Sequence, residues 1–179
     1  MGAELEKTLG EVRDGISDLS DEMRHRNERK TAGGSIATFT PAAASHTAGD
    51  VNDTFKEFTD VGPVGSRIMI TSTSLVVEST GVISGEPSYR LHLYNVTPPS
   101  ALGDNAPWDL PAGDRASYLG FVDLGTPVDV GSTLYVETNI VNKQLSLHGQ
   151  GLFAYLVTIG PYTPTASRVY KVTLQSVAL

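Results

Sequence analysis

The chain has 179 residues, 40% of them apolar and 18% charged, with a formal charge of −7 and no cysteine. That length suffices for one buried core plus an appendage, and a chain without thiols forms no disulfide, thiolate metal site or cysteine nucleophile. The acidic balance speaks against nucleic-acid or anionic-membrane partners, which need a basic footprint, and no apolar run is long enough to span a bilayer.

Residues 1–30 carry a pattern of their own. Leu5, Leu9, Val12, Ile16, Leu19 and Met23 follow one another at alternating spacings of four and three, the heptad seam of an amphipathic, coiled-coil-like helix. Acids crowd its front and Arg24, Arg26, Arg29 and Lys30 its end, as the helix dipole favours. Gly33 and Gly34 follow where a helix stop is expected. Gly10 and Gly15 each cost about 1 kcal/mol against alanine, so the helix needs a partner for its apolar stripe. That partner is the helix's own β-domain, further copies of itself, or a different protein. The N-terminus is acidic with dispersed apolar residues, so no secretory signal is expected.

The next stretch, 31–50, is built of small residues with only Ile36 and Phe39 as apolar anchors. Its composition reads as a flexible linker or extended arm in which those two side chains pin the chain to a neighbour. From Val51 to Leu179 the pattern is β. Strands are expected near 55–59, 67–78 (with a bulge near 72–74), 89–96, from 116, 133–138, 143–147, 152–159 and 168–177, separated by Gly and Pro turns. Leu152 to Ile159 is apolar on both faces and should be central. The fold class is therefore mainly β: an antiparallel β-sandwich or jelly-roll domain over 51–179, preceded by the helix and the linker.

Within that domain, Tyr89, Leu91 and Leu93 point one way and Arg90, His92, Tyr94 and Val96 the other, and a second alternation runs through Tyr118, Gly120, Val122 and Leu124. The loop between them holds Pro98, Pro99, Pro107 and Pro111 together with Asp104, the single tryptophan Trp108, Asp109, Asp114 and Arg115. A long, stiff loop joining two good strands is a place for function, here an interface or an outward tip. Trp108 either tucks under its own loop or anchors an interface. Asp104, Asn105, Asp109 and Asp114 are candidates for calcium, at a spacing that fits no EF-hand, and Asp114 with Arg115 is equally a candidate for an ion pair that closes the loop.

No catalytic motif accompanies these features. The nucleophile elbow, the H-E-x-x-H helix and the P-loop are all missing. Gly149-Gln150-Gly151 imitates a dinucleotide fingerprint, but the strand pattern that follows offers no helix N-terminus for a pyrophosphate. His25, His46, His92 and His148 are scattered, and two of them without a third ligand make no zinc site. The reading is a non-enzyme with no catalytic, cofactor or metal residues.

The segments RLHLYNVTPPSALGDNAPWDLPAGDRASYLGFVDLGTP, VGSTLYVETNIVNKQLSL and LFAYLVTIGPYTP resemble small virion structural proteins of tailed bacteriophages, over roughly residues 58–179. The resemblance implies a β-sandwich on the capsid exterior, of the decoration or cement type, made in the cytoplasm of the infected bacterium. Its implied partner is the major capsid protein, whose neighbouring subunits it ties together. The heptads and the linker lie outside the resemblance. Their physics adds a homo-oligomer (a trimer in preference to a dimer) or a helix laid in a capsid groove. Two rivals remain: a head fibre, spike or tail-associated domain with a helical stalk that binds receptor or glycan, and a sugar-binding module using Trp108, Tyr89, Tyr94 and Tyr118.

Overall fold

In a computed structural model, residues 12–20, 33–79 and 85–179 are described. Two compact units result, Met1–Thr31 and Ala32–Leu179. In the first, residues 12–20 are helical and their side chains exposed. Leu5, Leu9 and Met23 of the seam lie outside the described residues.

The second unit contains β1 (Gly33–Phe39), β2 (Lys56–Phe58), β3 (Arg67–Glu78), β4 (Tyr89–Tyr94), β5 (Tyr118–Gly125), β6 (Val128–Asp129), β7 (Leu134–Ser146), β8 (Leu152–Thr158) and β9 (Val169–Ala178). They form a five-stranded sheet in the order β1-β9-β3-β7-β6 and a four-stranded sheet in the order β2-β8-β4-β5. Every pairing is antiparallel. Apart from the β4–β5 and β6–β7 links, each connection carries the chain from one sheet to the other. Such alternation is the wrapping of a jelly roll, in which each strand's apolar face meets the opposite sheet.

The periodicity explains which face turns inward. In β3, Ile68, Ile70, Leu75 and Val77 are buried, and the step from an even to an odd position is absorbed by a register shift between Ile70 and Ser72. The same irregularity lets residues 134–146 run as one strand where the sequence suggests two, with Asn142 in the left-handed region. In β9, Tyr170, Val172 and Leu174 point inward, and in β4 so do Tyr89, Leu91 and Leu93. β8 lies between β2 and β4 and is buried on both faces, as its unbroken apolar run requires. A Leu→Ala change in this core costs about 2–5 kcal/mol.

One difference from the sequence reading is large. Residues 33–39, expected in a linker or arm, form β1, which pairs residue for residue with β9 from Gly33↔Ser176 to Phe39↔Tyr170. Ser35, Ala37 and Phe39 face the core and Phe39 is fully buried, so it anchors the segment to its own domain. The physical reason is that a strand added to a sheet edge is held by backbone hydrogen bonds, which side-chain size does not announce. Residues 46–51 then bridge to Tyr162, Pro107 and Val157, so the stretch 33–50 belongs to the jelly roll. The Gly149–Gly151 stretch is the β7–β8 turn.

Candidate interaction surface

The outer face of the four-stranded sheet carries aromatic rings where an exposed sheet face carries polar groups. β4 contributes His92 and Tyr94, β8 contributes Phe153, Tyr155 and Val157, and β5 contributes Tyr118 and Phe121. The strand register sets His92 beside Tyr155 and Phe121, and Tyr94 beside Phe153 and Tyr118. These rings need a cover, and the proline-rich loop supplies it. Trp108 stacks on His92 with ring centroids 3.7 Å apart, and Leu102, Trp108 and Leu110 pack against the buried Val51, Tyr94, Tyr155 and Val157. The result is a second, smaller apolar cluster outside the sandwich.

Backbone and carboxylate hydrogen bonds hold the cover down. The Leu102 N–H donates to the Tyr155 hydroxyl, 3.0 Å, which donates on to the Ser100 carbonyl, 3.2 Å. Val51 N–H donates to Ala106 O and Trp108 N–H to Gly49 O, at 2.9 and 2.8 Å. Asp104 accepts the Ala42 N–H at 2.7 Å and the Asp53 N–H at 2.6 Å. Asp114 is buried and accepts the Ser100 N–H at 3.1 Å, and its carbonyl receives Ser117 and Tyr118 N–H. Asp109 is exposed and caps Leu110 N–H at 2.8 Å, and Arg115 is exposed.

Enclosure sets the electrostatics. Burial, reinforced by the Arg90 guanidinium and opposed by Asp123, holds His92 down at about 3. The neutral ring shares a 2.9 Å hydrogen bond between Nδ1 and the Tyr118 hydroxyl. Burial raises Tyr94, against a lowering influence from the Trp108 indole N–H, and also raises Tyr155. Burial would raise Asp53 too, but hydrogen bonds from Lys56 and from the Thr40 and Thr54 N–H groups outweigh it and leave it below the usual range. A neutral, stacked imidazole under this cover serves as a packing element.

Toward β5 the face is open, and Phe121 is 43% exposed. There Arg90 lies over the Phe121 ring at 3.9 Å and its Nε donates to Asp123 Oδ1 at 2.7 Å. Beside them an open groove of about 370 Å³ is lined by Phe121, Val122, Asp123, Thr138, Val141 and Lys143.

A buried polar clip, which the sequence reading missed, closes one end of the sandwich. Arg168 Nη2 donates to Glu86 Oε2 at 2.6 Å, and both side chains are almost wholly buried. Glu86 Oε1 accepts the Tyr89 hydroxyl at 2.8 Å, and the Tyr162 hydroxyl donates to Asn52 Oδ1 at 2.5 Å beneath the His46 ring. Burial pushes Tyr89 and Tyr162 far above the ordinary phenol range. Nothing local in the sequence marks Glu86 and Arg168 as partners, because 82 positions separate them.

The structure thus places the singled-out residues differently from one another. Val12, Ile16 and Leu19 are 55%, 62% and 59% exposed, an uncovered apolar stripe. Ile36 is 61% exposed on the outer face of β1, whereas Phe39 is core. Asp104, Trp108 and Asp114 fasten the loop to its own domain, and Asp109 and Arg115 stay at the surface. Among the described residues, no three His, Asp or Glu side chains gather as metal ligands, so Asp104, Asp109 and Asp114 do not converge on a calcium site. Tyr89 and Tyr94 are fully buried and offer no sugar platform.

No protein-family model and no curated protein matches the chain. Among solved structures, the capsid of Ralstonia phage GP4 is similar at 12% identity and a TM-score of 0.40, over 83% of each chain. The Tomato aspermy virus structure gives 9% identity and 0.32, over 83% of this chain and 78% of that one. The PRD1 vertex protein gives 10% and 0.35, over 83% and 98%. Likenesses this slight do not bear on function; the jelly-roll assignment stands on the strand order itself.

Proposed function

We propose that this chain is a non-enzymatic structural protein of a tailed-phage virion, a decoration protein that binds the outside of the head and ties neighbouring major capsid subunits together. The observation that carries the reading is an uncovered apolar helix stripe (Val12, Ile16, Leu19) on a unit separate from a jelly roll whose loop carboxylates and aromatics serve its own fold. Jelly rolls recur in viral capsid and lectin domains. Burial of Tyr89 and Tyr94 and the His92 stack on Trp108 argue against the lectin use. The resemblance over residues 58–179 points the same way. The stripe would meet copies of itself, as a trimer or a dimer, or a groove of the capsid protein, and Asp109 and Arg115 would lie at lateral contacts. Many weak sites on a repeating shell then add up through avidity.

The decisive measurement is the copy number of this chain against the major capsid protein in purified particles. Hundreds of copies support a shell component. A dozen or fewer would favour the second reading, a head fibre or vertex structure in which the separate helix is a stalk. Absence from particles would overturn both. In a reconstitution, deleting residues 1–30 or introducing Ile16→Asp should weaken capsid binding or the oligomer. Unchanged binding and unchanged mass would remove the helix from the mechanism.

A further inference from the structure

Sheet edges are where strands of other chains add on, and natural domains protect them with charges, prolines, bulges or short strands. Three of the edges here carry such protection. β2 is three residues long and includes Lys56 and Glu57. β5 contains Asp123, two glycines at positive φ (Gly120 and Gly125) and two register shifts against β4. β7 has Glu137, Lys143 and the bulge around Asn142, with β6 pairing only its first two residues. β1 has none of these. Its seven residues, GGSIATF, include no charge and no proline, and they keep unbroken register with β9. Among the described residues no strand lies on its other side.

From this contrast we infer that the free edge of β1 is a strand-pairing interface for a second copy of the chain, antiparallel about a two-fold axis through Ile36. The edge is self-complementary about that axis. Ile36 of each copy falls opposite Ile36 of the other, an apolar β-branched pair of the kind that stabilises antiparallel ladders. Gly34 falls opposite Thr38, with the Gln175 side chain of its own β9 lying over the glycine. Charge favours a copy of the same chain here over elsewhere on its surface. Molecules carrying −7 repel one another, yet residues 31–49 contain no Asp, Glu, Lys or Arg. On β9, the outward residues paired with Gly34, Ile36 and Thr38 are Gln175, Thr173 and Lys171, and Lys171 is neutralised by Glu78. A seven-residue ladder spans about 24 Å and buries less area than a stable dimer needs. It therefore acts together with a second contact, or with tethering on a common surface. This inference does not depend on what surface the protein decorates.

The chain has no cysteine, so Ile36→Cys introduces a single thiol at an exposed position. Residues directly opposite in an antiparallel pair have Cα atoms about 4.5–5.5 Å apart, within disulfide reach. Under mild oxidation the full-length Ile36→Cys protein should form a covalent dimer roughly tenfold faster than Val128→Cys, a comparably exposed control on the opposite edge. The excess should persist when Ile16→Asp is added, which separates edge pairing from any association through the helix, and should fall when Thr38→Lys is added. Equal rates at Ile36 and Val128 would overturn the inference, including the case in which the edge receives a strand from a different protein. Loss of the excess with Ile16→Asp would equally overturn it, by assigning the contact to the helix. Neither result touches the copy-number measurement.

Discussion

Acidifying the protein from pH 7 to pH 4.5 should destabilise the jelly roll through His92. In the unfolded chain this imidazole takes up a proton near its ordinary value of 6.5; under the Trp108 lid it does so only at about 3. Between those limits the unfolded state binds more protons than the folded one, so stability rises with pH and is lost as pH falls. The slope approaches about 1.4 kcal/mol per pH unit once the unfolded ring is fully protonated, so the loss from pH 7 to pH 4.5 is about 2–3 kcal/mol. The ring is 4% exposed, so solvent screening takes little from this figure. The groups facing it are Arg90, which disfavours the charged ring, Asp123, which favours it, and the hydroxyl of Tyr118. The assay is urea unfolding followed by the fluorescence of the single tryptophan at several pH values, for the natural chain and for His92→Phe, which keeps a ring against Trp108. Asp53, held below the usual carboxylate range, adds its own loss at lower pH, and the difference between the two chains removes it. Parallel stability curves for the two proteins would refute the reasoning.

Glu86→Ala leaves Arg168 charged and buried without its partner, and should lower stability by about 3–5 kcal/mol in thermal melting. A Cβ at Gly151 would lie 2.9 Å from the Phe58 carbonyl oxygen, which is backbone in β2. Gly151→Ala should therefore cost about 1–3 kcal/mol in chemical denaturation, whereas Gly113→Ala, with nothing within 4 Å, should change stability by less than about 0.5 kcal/mol. Asp104→Ala strips the acceptor from the Ala42 and Asp53 N–H groups. Faster hydrogen exchange across 40–54 and across the proline-rich loop is the expected sign, and unchanged protection there would show that other bonds hold the loop.

Much of the fold was legible because half-burial writes itself as a period of two. Arg67–Glu78 is a strand at the bounds its alternation suggests, and the buried run of β8 lies mid-sheet as its two apolar faces demand. The site was legible in part. The loop between β4 and β5 was singled out. Tyr118, however, grouped by its alternation with Val122 and Leu124, packs instead in the outer cluster beside Tyr94 and Trp108, because the β4–β5 register shifts between Leu93 and Tyr94. The loop's carboxylates proved to be fasteners for backbone amides up to 62 positions away. A carboxylate that caps a distant N–H and one that waits for a metal look alike in a sequence.

What the sequence by itself determined is therefore local: which residues extend, which face of most strands is apolar, and where turns fall. Tertiary structure alone decided that GGSIATF joins the sheet as β1 and that two strand-like patterns merge through a bulge into β7. It also decided that Trp108 lies on His92 and that Glu86 meets Arg168. Each of these outcomes rests on a backbone hydrogen bond, a ring stack or an ion pair between residues far apart in the chain. Their energy depends on distance and burial, quantities that exist only once the sheets have closed.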